Sequence, residues 1–574
     1  MEYKLLIELT LILSAALLGG LVASKIKQPL VIGYIVAGLL LGSFYSKLIG
    51  PATESISTMS EIGVALLLFT LGLEFSLDRI KKVGKAVVLG AILQILIVIF
   101  VFFFIFAFIF NLPFSVSIFL SSIISLSSTA VVAKLLSEEG SLESSHGDLI
   151  LSWLIVQDLA VIPLILLIPA VSDLQNFNII NLLLSVLKSA AAIYLVLIVG
   201  KRTIPFLFKK LALYNNRELM LVAAFLFCLL TAYAASIIGI SFAIGAFLAG
   251  ILLSTSAVNH EVFTEIRPLR DLFSSVFFVT LGFLVSVDGF WQSIIPAIFL
   301  TILIFTIKFL IVFILLVKFN YHSKISYYAA LALFQIGEFG FLLAKLGFDK
   351  QILDKASYEL IILSSILTLI STPIVYSFAH KSYKHIKKFT SLKIPYLHYI
   401  IFEVADSDAK LPQPRKLNLK NHIILVGYGR VGKYISKILD FSKIPYVVID
   451  LHFKTLRELR KKGLHSVYGD ATNEEVLKIA GIEHARGIIL AIPEINNNET
   501  IISYIRTLNP SIQLIVRAHK DEDIAKLAIR GIKHIIEPEF EAGIEMGKRM
   551  LKTFNIEAKV IKSFIDLARK ERKY

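Results

Sequence analysis

Up to about residue 380 the chain is built from long apolar blocks separated by short polar stretches. Each block is close to the roughly 20 residues that a helix needs to cross a bilayer. Thirteen spans are expected, at about 4–24, 29–46, 58–76, 84–111, 114–137, 148–170, 176–200, 217–237, 239–256, 264–285, 291–319, 325–347 and 356–380. After residue 420 the pattern changes: short apolar runs such as "HIILV", "PYVVID", "HSVYG", "GIILAI", "IQLIVRA" and "KHIIEP" alternate with helical stretches. That alternation predicts a doubly wound sheet of about six parallel strands. The fold class is thus an all-α polytopic membrane domain followed by an α/β Rossmann-like domain. The expected boundaries are 1–380 for the membrane domain, 381–420 for a linker containing "LPQPRK", 421–540 for the α/β domain and 541–574 for a helical tail.

Composition fits this division, with 56% of the 574 residues hydrophobic. The net charge of +15 does not indicate nucleic acid, because lysine and arginine gather in the loops after spans 1, 3, 7, 9, 11 and 13. The opposite loops, such as "NLP" and "SVDGFWQ", are nearly free of them. The positive-inside rule then puts the N-terminus outside and the C-terminal domain in the cytoplasm. "MEYKLLIELT" has no basic leader and reads as the start of a first membrane helix. One cysteine, Cys228, excludes an intrachain disulfide framework and a cysteine-cluster metal site.

The membrane half repeats itself at a spacing near 211 residues. "TLGLEFSLD" (Thr70–Asp78) matches "TLGFLVSVD" (Thr280–Asp288), "IVAGLLLGS" (Ile35–Ser43) matches "FLAGILLST" (Phe247–Thr255), and "VVAKLL" (Val131–Leu136) matches "LLAKLG" (Leu342–Gly347). Each match pairs span n with span n+7, and because seven is odd the paired helices cross in opposite directions. Inverted repeats of this kind frame substrate sites in transporters, often with broken helices. Two paired spans carry the signals of a break. Span 5 contains "SLSSTAVV", where Ser125, Ser127, Ser128 and Thr129 can bond freed backbone groups or ligate an ion. A continuous helix with hydroxyls bonded back to the preceding turn is the other reading. Span 12 contains "FQIGEFGF", with Gly337 and Gly340 around Glu338, an acid that reads first as a counter-charge to positive helix ends.

In "SWLIVQDLAVIPLILLIPA" the carboxylate of Asp158 lies near the middle of span 6. Intramembrane charge is costly and marks ion pathways and proton relays. Lys308, near the centre of span 11, is its expected partner, either as a permanent pair or as a counter-charge that alternates with a bound cation. Burial raises the affinity of a carboxylate for protons and a nearby cation lowers it. Gln157 stands beside the acid and, if turned inward, offers a carbonyl oxygen. One carboxylate among neutral oxygens suits an alkali cation, without the acid ring of a Ca²⁺ or Mg²⁺ site or the His/Cys cluster of a transition metal.

"LLLFTLGLEF", "SSTAVV", "VQDLAVIP" and "QIGEFGFLL" resemble the motifs of the monovalent cation:proton antiporter superfamily, and the Gln-Asp pair resembles its Kef branch of K⁺/H⁺ antiporters. The resemblance implies a thirteen-helix homodimer with a dimerisation bundle and a core bundle that moves like an elevator. It implies that Asp158 carries K⁺ and H⁺ alternately, with Gln157, Thr129, Ser127 and Ser128 as the surrounding site and Lys308, Glu338 and Gly337 as ion-pair or helix-break support. It also implies a multi-pass protein of the inner (plasma) membrane. Relatives with Asp or Asn in place of Gln157 exchange Na⁺, so Gln157 favours K⁺.

In the C-terminal half, "HIILVGYGRVGKYISKIL" is a strand, a G-x-G-x-x-G turn and a helix, and "PYVVID" ends in an acid about 20 residues later. Glycines in that order let phosphates approach the backbone and helix N-terminus, and the acid suits a ribose hydroxyl. The candidate nucleotide site is Gly427, Tyr428, Gly429, Arg430, Val431 and Gly432, with Asp450, and with Asp470 and Ala471 from "YGDATNEEVL"; Thr472 or Asn473 caps the next helix. This half resembles the RCK or TrkA-N domain. The likeness implies dimerisation and an adenine nucleotide, NAD(H), AMP or ATP/ADP, as regulator rather than as redox cofactor, so no enzyme is expected. A glutathione-type regulator on Arg517 and the basic surface is a weaker implication. Na⁺/H⁺ exchange, a nucleotide-gated K⁺ channel and a membrane-anchored oxidoreductase are the alternatives. The channel lacks a filter motif in a membrane loop, and the oxidoreductase leaves Asp158 and Lys308 without a role.

Overall fold

A computed structural model describes residues 4–26, 28–48, 54–74, 83–142, 144–166, 200, 204, 206–211, 213–214, 216–237, 242–254, 256, 258–285, 287–399, 419–451, 453–519 and 521–571. The span expected at 176–200, apart from its last residue, lies outside them, as do Asp78 and the "LPQPRK" stretch. The chain divides into two compact units. The first is Met1–Val132, Ile150–Leu315 and Ala330–Ser377; the second is Ala133–Leu149, Leu316–Ala329 and Phe378–Tyr574.

The first unit is helical. Its elements are α1 (Lys4–Lys25), α2 (Leu30–Leu48), α3 (Glu54–Glu74), α4 (Lys85–Phe104), α5 (Phe114–Ser125), the start of α6 (Thr129–Glu138) and most of α7 (Ser145–Leu166). They are followed by α8 (Arg217–Ile237), α9 (Phe242–Ser254), α10 (Asn259–Phe283), most of α11 (Val287–Lys318), the last turn of α12 (Ser323–Ala332, which begins in the second unit), α13 (Glu338–Asp349) and α14 (Lys355–Ser377). In α4, Val87, Ala91, Ile95, Val98 and Phe102 are buried while Leu89, Leu96 and Phe100 are more than half exposed. A helix apolar on both faces with one face uncovered suits lipid, where the backbone is satisfied within the helix.

Among the described residues seven segments are long and apolar enough to cross a membrane: Leu5–Lys25, Lys85–Ile109, Phe114–Glu138, His146–Ile165, Arg217–Ile237, Gly289–Lys318 and Lys355–Ser377. Several of the other expected spans are helical but fall short for physical reasons. The span at 325–347 is split into α12 and α13, of 10 and 12 residues. Helix α9 has 13 residues, and α10 carries Glu261, Glu265, Arg267, Arg270 and Asp271 in its first half.

Among the described residues several helices meet at backbone distance, and Gly63 of α3, where a Cβ would strike the Phe273 carbonyl of α10, links the two pairs that follow. A Cβ on Gly38 of α2 would collide with the Val279 carbonyl of α10, and one on Gly282 of α10 with the Ile35 carbonyl of α2. Gly72 of α3 and Gly250 of α9 face each other in the same way, each beside a carbonyl of the other helix. Small residues allow this approach in membranes, where packing and not apolar burial holds helices together.

Two helices are interrupted. After Ser125 the chain turns extended at Leu126 (φ −90°, ψ 145°) and resumes at Thr129. After Ala332 it leaves the helix until Glu338, with Gly337 extended as the N-cap. In α5 Ser121 and Ser122 donate to the Ile118 carbonyl and Ser125 to that of Ser122. Back-bonding and a break therefore coexist in this span. The interruptions touch: Gly337 N–H donates to the Leu126 carbonyl at 3.2 Å, and a Cβ on Gly337 would run into the Ser127 carbonyl.

The second unit holds helix α15 (Ala379–Lys393) and a six-stranded sheet in the order β3-β2-β1-β4-β5-β6, every neighbouring pair parallel. Its strands are β1 (Ile423–Val426), β2 (Tyr446–Asp450), β3 (Ser466–Tyr468), β4 (Gly487–Leu490), β5 (Gln513–Arg517) and β6 (His534–Ile536). Between them run α16 (Arg430–Phe441), α17 (Phe453–Lys461), α18 (Glu474–Ile479), α19 (Ile495–Leu508) and α20 (Asp521–Ile529), followed by α21 (Pro538–Thr553) and α22 (Ala558–Glu571). Central strands such as Ile424–Val426 and Val447–Ile449 are buried, as parallel strands covered on both faces must be. The order reverses between β1 and β4, and the carboxyl ends there are where such sheets bind ligands.

Candidate functional site

The first unit gathers its polar groups around the two interruptions. Thr129 opens α6 and its hydroxyl donates to Asp158 Oδ2 at 2.8 Å. Ser128 donates to Glu338 Oε2 at 2.5 Å, and the Val131 N–H donates to Ser128 Oγ at 3.3 Å. Glu338 is the first residue of α13, so its carboxylate sits at the N-terminal ends of two half-helices, where partial positive charge favours it. Thr129, Asp158 and Glu338 are partly exposed, whereas Gln157 and Lys308 are fully buried.

One expectation is corrected here. Lys308 does not pair with Asp158. Its ammonium donates to the carbonyls of Leu126 (3.2 Å) and Gln335 (2.9 Å) and to Ser127 Oγ (3.2 Å). The carbonyls released by the two breaks need donors, and a buried cation fills that need. Gln157 turns its carbonyl to the break: Oε1 accepts from the Ser127 N–H at 3.1 Å, and its amide donates to Gln94 Oε1. Ser127 itself donates to the Leu333 carbonyl at 2.7 Å. The sequence reading passed over Gln94 of α4. It donates to the Ser125 carbonyl at 3.1 Å and accepts from Trp153 Nε1 at 3.3 Å. Its signal was a lone amide in the apolar run "AILQILIVIF".

In the second unit an open cavity lies at the carboxyl edge of the sheet. Gly427, Gly429, Arg430, Asp450, Asp470 and Ala471 line it, with Arg517. Gly427 has φ +90°, a left-handed conformation that glycine supplies. A Cβ on Gly429 would meet nothing, and one on Gly432 would strike the Gly427 carbonyl. Open backbone at the second glycine and close strand–helix packing at the third are what a pyrophosphate cradle requires. Gly429 is the N-cap of α16 without a side-chain cap, which leaves the helix end for an anion. Arg517 also lines the cavity, its guanidinium 3.8 Å from Glu539 Oε1, a second cation beside the same space. The residues present fit an adenine nucleotide.

Tyr428 and Val431 do not line the cavity. They pack with Leu425, Leu439 and Tyr446 on the other side of the turn. Asp450 Oδ2 accepts from the Tyr428 N–H at 2.6 Å, so the acid also shapes the glycine turn. Asn473 caps α18 through the Glu475 N–H. Asp470 Oδ1 accepts from the Thr472 N–H at 2.9 Å, and its Oδ2 binds Lys324 Nζ at 2.7 Å. Nothing in the sequence marked Lys324, which reads as one more basic loop residue.

Residues 12–379 match the transmembrane sodium/hydrogen exchanger family and residues 423–538 match the TrkA-N domain. The chain is 31% identical over 530 residues to YbaL of Escherichia coli (strain K12), named as a cation/proton antiporter, covering 91% of this chain and 93% of that one. It is 26% identical over 572 residues to KefB of Alkalimonas amylolytica, named as a K⁺ efflux antiporter, covering 99% and 84%. The sodium proton antiporter MjNhaP1 from Methanocaldococcus jannaschii shares the fold at 20% identity and a TM-score of 0.51, over 66% of this chain and 99% of that one.

Proposed function

As the chain belongs to the transmembrane sodium/hydrogen exchanger family, in the Kef-type arrangement with a C-terminal TrkA-N domain, we propose that it exchanges K⁺ for H⁺ across the inner membrane under the control of an adenine nucleotide. The observation that carries this reading is Asp158. Its carboxylate stands within an apolar span, partly accessible, with one oxygen held by Thr129 where two helices break. A carboxylate there takes either a proton or a hydrated alkali cation stripped of water, and not both, which makes exchange obligatory. The Thr129 hydroxyl orients Asp158 and adds an oxygen ligand. Lys308 and Gln157 hold the breaks open and so keep the half-helix ends fixed around the site.

Alternating access by an elevator-like shift is part of the proposal, with thirteen spans in an inverted repeat and the N-terminus outside. The two interrupted spans, 5 and 12, are partners in that repeat. So are the glycines: Gly38 corresponds to Gly250 and Gly72 to Gly282. The α2–α10 contact of Gly38 with Gly282 is thereby matched by the α9–α3 contact of Gly250 with Gly72, which supports the repeat. The working boundaries are 1–380 for transport, 381–420 for the linker, 421–540 for the nucleotide domain and 541–574 for the tail, in a homodimer joined through both domains. Nucleotide would fill the cavity at Gly427, Gly429, Asp450 and Arg517, and its binding shifts transport by favouring one state over another.

Proteoliposomes containing the protein and a pH-sensitive dye test the reading directly. K⁺ and Rb⁺ gradients should drive proton movement more strongly than Na⁺, and AMP or NAD⁺ should change the rate. Equal or greater Na⁺ response would overturn the choice of cation, and continuous current without proton coupling would overturn exchange.

A further inference from the structure

One wall of the nucleotide cavity is not supplied by the Rossmann fingerprint. Gly140 and Ser144, from the turn between α6 and α7, line it, as do His146 and Lys324. The turn lies at backbone distance: Gly140 has φ +67°, and a Cβ there would run into the His519 ring. Lys324 is 6% exposed. Its ammonium touches Asp470 Oδ2 at 2.7 Å and Asn497 Oδ1 at 3.0 Å. A buried cation at a ligand cavity, matched by one carboxylate and one neutral amide, is poised for a stronger anion. Asp470 would not be stranded by losing Lys324, because its other oxygen keeps the Thr472 N–H. Arg517, 3.8 Å from Glu539 Oε1, adds a second cation to the same lining.

Building on the nucleotide reading above, we propose that Lys324 adds a side-chain cation to the phosphate site begun by the glycine turn and the α16 N-terminus, exchanging Asp470 for phosphate oxygens. Lys324 is the second residue of α12, the half-helix that ends at the interruption before Gly337. The turn that carries Gly140 joins α6, which opens with Thr129, to α7, which bears Asp158. Phosphate is therefore read from α12, whose far end meets the interruption, beside the turn that joins α6 to α7.

Calorimetry on the full-length protein in detergent, with AMP and adenosine as probes, tests this. Lys324→Gln should weaken AMP binding about tenfold or more, as expected for a lost hydrogen bond to a charged group, and leave adenosine binding as in wild type. Asp470→Asn keeps an acceptor for the Thr472 N–H but removes the competing charge, and should tighten AMP several-fold; a merely structural aspartate would weaken it. Unchanged AMP affinity in Lys324→Gln, or weakened affinity in Asp470→Asn, overturns the proposal and leaves the nucleotide site standing. Wild-type protein that takes up neither probe removes the nucleotide reading itself. Should Lys324→Gln fail to fold, Asp470→Asn decides alone.

Discussion

Asp158 and Lys308 are the two intramembrane charges around the helix breaks whose roles the geometry separates. Asp158 touches a hydroxyl and is partly accessible; Lys308 is buried and touches two carbonyls and a hydroxyl. Asp158→Asn should abolish K⁺-driven proton movement in proteoliposomes while eluting from a sizing column as wild type does; exchange at the wild-type rate would sink the site. Lys308→Gln should instead lower thermal stability in detergent, by about 3 kcal/mol if each stranded carbonyl costs about 1–3 kcal/mol. A wild-type melting curve would show that the breaks do not depend on it. Asp158 was legible because an acid in a long apolar run is conspicuous. Its partner was not, since proximity of two charges along thirteen expected spans cannot be read from their depth alone. Gln157 was legible as a feature, while its contact was not: its carbonyl accepts from the Ser127 N–H. Gln157→Asn, too short for that bond, should slow K⁺ and Na⁺ exchange in the same proportion; a changed ratio would return Gln157 to the ion path.

Elements follow their periodicity wherever neighbours along the chain decide the outcome. All six strands and the glycine turn stand where the alternation of short apolar runs placed them, since a strand buried on both faces and a turn needing φ > 0 are local demands. Both helix interruptions carried local signals as well, a run of hydroxyls and a pair of glycines. What no local pattern could convey is that the two interruptions bond to each other across about 200 residues of chain. The glycines of the fingerprint make separable predictions. Gly432→Ala places a methyl group against the Gly427 carbonyl and should cost about 1–3 kcal/mol of stability, read as a lower melting temperature of the C-terminal unit. Gly429→Ala meets nothing and should melt as wild type does yet bind AMP more weakly, because its methyl group faces the ligand. Equal melting of the two variants would contradict this turn geometry.

For the molecule as a whole, the Lys324–Asp470 contact sets a pH signature. Burial opposes charge on Asp470, but Lys324, His322 and the Thr472 N–H outweigh it and hold the carboxyl well below the usual range. A folded pKa below the unfolded one means stability that is complete above about pH 3.9 plus a margin and lost only as pH falls through the folded value. The melting temperatures of wild type and Asp470→Asn should therefore stay apart above about pH 5 and converge only in stronger acid. Convergence near neutrality would mean that Asp470 is not held as described. The sequence offered Asp470 as a nucleotide residue and Lys324 as an unremarkable loop cation. Their meeting joins positions 146 apart and is a property of the fold, not of either segment.

The glycine contacts of α2, α3, α9 and α10 have a mechanical consequence. Where a carbonyl of one helix occupies the space a side chain would fill on the next, neither can slip by a fraction of a turn without collision. Such helices are geared together: a load applied to one is delivered to all four with no lost motion. Whatever displacement carries an ion across the membrane, these four would contribute to it as one piece.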